Sequence, residues 1–197
     1  DSIECYNYLL DVITEINDLR SSGYTVLQVI STGYTIFQFA GTEYTSTEYI
    51  TAGYSVFDLK NSGFTATELK TAGFTLSELY NAGFTIQELK VAGFTSFNFH
   101  VQGFTAIQLY NAGFSATDMI GGEYNLSDLK SAGYTATELN AAGFGFTAAN
   151  YYSAGYTATE LQTAGYTTTQ LKTAGFTATE LKTAGFTLSE LYNAGFT

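Results

Sequence analysis

The chain has 197 residues, with 18 acidic against 7 basic side chains for a net charge of −11, no proline or tryptophan, and one cysteine. That balance disfavours a nucleic-acid or anionic-membrane partner, because phosphate binding needs a basic face and Lys60, Lys70, Lys90, Lys130, Lys172 and Lys182 are outnumbered. A lone cysteine excludes a disulfide framework and a cysteine-based metal site, and no apolar run approaches the ~18 residues of a membrane span.

The chain begins at Asp1 rather than Met, as expected of a processed or trimmed end, and no signal peptide is visible. Ile3, Tyr6, Leu9 or Leu10, Ile13, Ile16 and Leu19 recur every three to four residues. This spacing predicts one amphipathic helix of about five turns, ending near Ser21–Gly23. Asp1 with Glu4 is placed to cap its start, and Cys5 reads as a small buried apolar residue. Solenoids need an end unit over the first repeat. Residues 1–23 are therefore assigned as an N-terminal capping helix and 24–197 as a repeat domain.

From Tyr24 to Gly195 the chain contains 17 ten-residue units. Each reads aromatic, Thr, two variable positions, Glu or Gln, Leu, two more variable positions, a small residue, Gly. In Phe64–Gly73, Thr65 followed three residues later by Glu68 is a capping box, and Phe64 with Leu69 is a hydrophobic staple. Ala66, Leu69 and Ala72 share one face, and Gly73 supplies the left-handed residue that ends a helix. The cap is Thr in 14 units and otherwise Ser55, Ser115 or Asn125, all good N-caps. The position three further on is Glu or Gln in 12 units and otherwise Asp58, Asn98, Asp118, Asp128 or Asn150. Substitution thus follows the capping chemistry.

The units depart from the motif at definite places. Tyr24–Gly53 is rich in Val, Ile and Phe, which weakens its helical signal. In the second unit Gly41 stands two places early and Glu43 takes the usual glycine position; Gly121, Gly122 and Glu123 repeat the deviation. Each is expected to shorten its helix and alter the turn. Phe94–Gly103 holds the only histidine, His100, among Phe97, Phe99 and Val101; without a second histidine it reads as structural. Asn125-Leu126-Ser127 is the one N-glycosylation sequon, and its Asn is also a cap. Two residues are inserted at Phe144–Gly145, after which the repeat resumes. The last 22 residues, Phe176 to Thr197, duplicate Phe64 to Thr85 letter for letter.

The expected fold is all-α: a solenoid of short two-turn helices, one per ten residues. A single unit cannot stand alone, since helices below about 12 residues are marginal in water. The aromatic and Leu columns must therefore pack against neighbouring units. No even–odd alternation is evident, so successive units are expected to be near-equivalent steps. The alternative is a right-handed β-helix, because Phe64 and Leu69 are five residues apart and AGFTA-TELKT resembles the pentapeptide repeats. Against it, Gly73 weakens a strand while Ala, Glu, Leu and Lys form helices.

Residues 24–197 also resemble the tandem decapeptide tracts, of AGFTxxELxx type, found in large uncharacterised viral and microbial proteins. That resemblance implies a style of construction and transfers no catalytic or binding residues. Glu68, Glu78, Glu88, Glu138, Glu160, Glu180 and Glu190 are placed to form a column that attracts divalent cations, but capping already explains them. No catalytic, cofactor-binding or metal-binding residue is assigned, and no enzyme activity is expected. The expected function is a structural subunit or shaft of a filament, fibre or surface array, self-associating head to tail, outside the cell or on a particle surface. The alternative is an interaction scaffold that binds a protein or glycan on one face. The variable seventh position (Lys70, Tyr80, Lys90, His100, Tyr110, Ile120) is its best support.

Overall fold

The decapeptide folds as one short helix closed at both ends by its own residues. The computed structural model describes the backbone of residues 2–197 and the side chains from Asn7 onward. Asp1 and the side chains of residues 2–6 lie outside it, and with them the expected Asp1–Glu4 cap and the environment of Cys5. Among the described residues there is no strand, so the β-helix alternative is set aside.

In Ala66–Thr71 the cap Thr65 is extended, and its hydroxyl accepts the Glu68 N–H at 3.2 Å. The same hydroxyl donates to the Glu68 carboxylate at 2.7 Å, and the Thr65 N–H donates to that oxygen at 2.7 Å. Three bonds therefore close a turn that no preceding residue closes. At the other end the Gly73 N–H bonds the Lys70 carbonyl at 3.0 Å, and the Phe74 N–H bonds the Leu69 carbonyl at 3.0 Å. Gly73 sits at φ +102°, which only glycine adopts without strain. The sixth residue of every repeat is the centre of the core. From Val29 through Leu181 it is at most 1% exposed, whether Val, Leu, Phe, Tyr or Met, and Leu191 is 6% exposed.

The chain divides into two compact units, Asp1–Phe94 and Thr95–Thr197. The first begins with α1, Ser2–Ser21, which covers the first repeats with Val12 and Ile16 buried. Asn17 accepts the Glu43 N–H at 2.8 Å, and Arg20 forms an ion pair with Glu48 at 3.1 Å. Further along, helix Ala66–Thr71 packs on Ile86–Val91, two repeats away. The second unit stacks with the same step: Ala136–Ala142 on Ala158–Thr163, Ala158–Thr163 on Ala178–Thr183, and Ala148–Ser153 on Thr168–Ala174.

The stacking repeat is thus two decapeptides. It is also visible in the tyrosines that replace phenylalanine at the first position. Tyr44 donates to the carbonyl of Tyr24 at 2.6 Å in the first unit. In the second, Tyr124 donates to Phe104, Tyr134 to Phe114 and Tyr166 to Phe146, at 2.6–2.7 Å.

The irregular repeats do lose helix. Ile36–Phe39 is a four-residue 3-10 helix, and 116–121 forms only turns. Ser115 and Asp118 still make the three capping bonds there. A capping box therefore does not suffice when glycines follow it too early. The inserted Phe144 stacks on Phe146, 5.3 Å between centroids, and the next helix starts normally at Ala148.

Thr65→Val should cost about 0.5–2 kcal/mol and Leu69→Ala about 2–5 kcal/mol, measured by urea denaturation. A milder effect for Leu69→Ala would contradict the core assignment. Two pH limits follow from the same contacts. The Thr75 hydroxyl and backbone N–H hold the Glu78 carboxyl below its usual range, and the Thr85 backbone N–H and hydroxyl do the same for Glu88. That stability is present above the ordinary carboxyl pKa and is lost as pH falls through the lowered value. Burial pushes Tyr49, Tyr124 and Tyr156 up to about 12. Their contribution is present below the ordinary phenol pKa of about 10 and is lost as pH rises from there. Denaturation midpoints should hold between these limits and fall beyond both.

Candidate functional site

The seventh position, the sequence's best candidate for a binding face, turns instead toward the repeat stacked above it. Lys60 Nζ lies 4.7 Å from the ring centre of Phe84, and Lys70 Nζ lies 4.6 Å from that of Phe94. In the second unit Lys130 sits over Tyr156 at 4.9 Å and Lys172 over Phe196 at 4.8 Å. Each ammonium also donates to carbonyls where a helix ends. Lys70 bonds Ala92 at 2.9 Å, Lys172 bonds Ala194 at 3.0 Å, Lys60 bonds Gly83, and Lys130 bonds Gly155. A cation there meets both the ring quadrupole and the negative end of the helix dipole.

Aromatic residues at this position make the same contact without charge. Tyr110 meets Tyr134 edge-on at 4.9 Å, and Tyr152 meets Phe176 at 4.7 Å. The glycine beside the clamp has a second reason to be glycine. A Cβ on Gly93 would lie 3.2 Å from Lys70 Nζ, and one on Gly133 would lie 3.2 Å from Cζ of Tyr110. Across the insertion, Asn140 takes the position and accepts the hydroxyls of Tyr151 at 2.9 Å and Tyr166 at 3.3 Å. Lys, Tyr and Asn thus share one structural task at this position, whereas Ile50 and Ile120 stand exposed there.

The column of carboxylates is likewise occupied. Glu68, Glu78, Glu88, Glu138, Glu160, Glu180 and Glu190 each accept the backbone N–H of their own cap threonine at 2.6–2.8 Å. Among the described residues no group of three His, Cys, Asp or Glu side chains is placed to hold a metal, and no helix is long and apolar enough to cross a membrane. What the sequence reading missed is the fourth position. Phe37 is 58% and Phe57 59% exposed in the first unit, and Phe97 and Ile107 are exposed in the second. The second helical residue points away from the stack, so an apolar residue there is a surface residue.

Lys70→Ala should cost about 1 kcal/mol, the sum of a partly exposed cation–π contact and a charged hydrogen bond discounted for solvent. Lys70→Tyr should recover more than half of it. Equal losses in the two variants, measured by urea denaturation, would show that ring contact cannot replace the charge.

Comparison with known proteins agrees with the geometry of the single repeat. The decapeptide repeat region family matches the chain at residues 23–96, 98–145 and 144–197. No curated protein and no solved structure matches it. With the repeat extending over nearly all residues outside α1, the chain belongs to the decapeptide repeat family.

Proposed function

We propose that this protein is a non-catalytic structural repeat protein, the subunit or shaft of a filament, fibre or surface array, in which copies associate head to tail. The observation that carries this reading is that decapeptides bury one another: Leu76 is 5% and Tyr80 40% exposed where other decapeptides pack around them, while the identical side chains Leu188 and Tyr192 are 71% and 77% exposed. The contact that covers Leu76 is one that a further decapeptide of the same tract or a second copy can supply.

The occupant proposed for this face is the α1 end of a second copy, where Tyr8, Leu9 and Leu10 are also exposed. Such a contact is heterologous, and one that does not close into a ring propagates as a filament. The carboxylates and lysines that would otherwise serve chemistry or ligand binding are engaged in caps and clamps, which supports a structural role. A second reading, an interaction scaffold for a protein or glycan, is favoured by the exposed Phe37 and Phe57 of the first unit.

Sedimentation and electron microscopy over a range of concentrations separate the two. The structural reading expects mass to rise with concentration and linear particles to form. Leu188→Asp combined with Tyr192→Asp should abolish both while leaving the fold intact. A monomer at every concentration would contradict it. Association that survives the double variant but is lost in Phe37→Ser with Phe57→Ser would favour the scaffold face.

A further inference from the structure

Asn125 is the only asparagine among the 17 cap residues, and with Leu126 and Ser127 it forms the chain's one N-glycosylation sequon. It caps helix Leu126–Ala132 at φ −73° and ψ 162°, the extended conformation that the threonine caps also hold. Asn125 and Ser127 are exposed, while Leu126 between them is buried. The two residues that define the sequon thus face solvent, and the one free to vary fills the core.

Cap and glycan call on different atoms of this side chain. The Asp128 N–H donates to Oδ1 of Asn125 at 2.8 Å, against 3.2 Å for the same bond at Thr65 and at Ser115. Of the two amide heteroatoms only the oxygen accepts from an N–H, so this bond fixes the orientation of the amide and leaves Nδ2 on its other side. Elsewhere the cap hydroxyl also donates to the carboxylate three residues on, as Thr65 does to Glu68 at 2.7 Å and Ser115 to Asp118 at 2.8 Å. Helix Leu126–Ala132 has no such reciprocal box, and no described residue is bonded to Nδ2 of Asn125.

The segment before this cap carries no helix, since 116–121 forms only turns. A seven-residue helix is itself marginal until neighbouring repeats stack on it. Residues 125–127 are therefore extended and open while the chain is being made, when a transferring enzyme can grip them.

We propose that Asn125 is an N-glycosylation site whose glycan and helix cap coexist on one side chain. The donor is an oligosaccharide joined through a diphosphate to a polyisoprenoid lipid. Nδ2 attacks the anomeric carbon of the first sugar, and an N–C bond forms as the bond from that carbon to the diphosphate oxygen breaks. The lipid diphosphate leaves, and the amide gives up one proton. The product is still an amide with its carbonyl oxygen free to accept, so the bond from the Asp128 N–H survives. At a threonine cap the single oxygen would carry the sugar and lose its donation to the glutamate. The site is independent of head-to-tail association, and it requires passage through a compartment that holds the transferring enzyme.

The test takes the protein purified from the cells or particles that contain it. Releasing N-glycans with a peptide-N-glycosidase in heavy-oxygen water converts a glycosylated asparagine to a labelled aspartate, and mass spectrometry of the tryptic peptide Val91–Lys130 locates it. The label should fall on Asn125, and an Asn125 that is never modified overturns the proposal. Asn125→Ser, which keeps a cap of the kind found at Ser55 and Ser115, should fold and carry no N-glycan; one that persists there contradicts the assignment. Urea denaturation before and after release then tests coexistence. Aspartate caps as well as asparagine, so the glycosylated form should be no less stable than the released form within about 2-fold in the unfolding constant. A sugar that displaced the cap would raise that constant by about 2- to 30-fold, and coexistence would be wrong.

Discussion

The fold depends on the three hydrogen bonds between a threonine and the glutamate three residues later. A six-residue helix on its own has more unpaired backbone groups than paired ones. Left to water, such a segment does not persist. Thr65 and Glu68 close the first turn, Gly73 and Phe74 close the last, and a short helix becomes a unit that can be stacked. Stacking then buries the sixth residue, which no isolated unit can do. Local closure and nonlocal burial are both necessary, and the turn at 116–121 shows the first failing to produce a helix without the proper spacing of glycine.

What the sequence made legible is what short-range chemistry decides. The caps, the terminating glycines, the buried leucines and the lost helices near Gly41 and Gly121 all depend on residues within ten of one another. The five-residue spacing of Phe64 and Leu69 left a β-helix open, and the capping bonds settle it, since they require helical turns after Thr65. The stacking step was not legible. Helices pack at two-repeat intervals, yet both stacks are built from one motif, so no alternation marks them.

The seventh position is the instructive case for the candidate site. Its mixture of Lys, Tyr, His and Asn looks like a diversified binding surface. In space Lys70, Tyr110 and His100 each reach a ring 24 residues on, and cation, phenol and imidazole are different solutions to one contact. Pairwise offsets of 24 residues cannot be read from a ten-residue pattern. The exposed fourth position was hidden for the opposite reason, because Phe37 and Phe57 look like core residues until the direction of the helix face is known.

Tyrosine choice at the first position carries the same information. A phenylalanine there fills volume, whereas Tyr134 or Tyr166 also satisfies the backbone carbonyl two repeats earlier. Closure of each helix on itself and clamping of its seventh residue to the turn that ends the helix two repeats on are together the central physical statement about this chain. A double-mutant cycle tests it most directly. Lys70 and Phe94, which touch, should show a coupling energy of about 0.5–1 kcal/mol, and Lys70 and Phe84, the ring ten residues earlier, should show none beyond about 0.3 kcal/mol. Equal coupling in the two pairs, or coupling confined to Lys70 and Phe84, would contradict the two-repeat step on which the account of the fold rests.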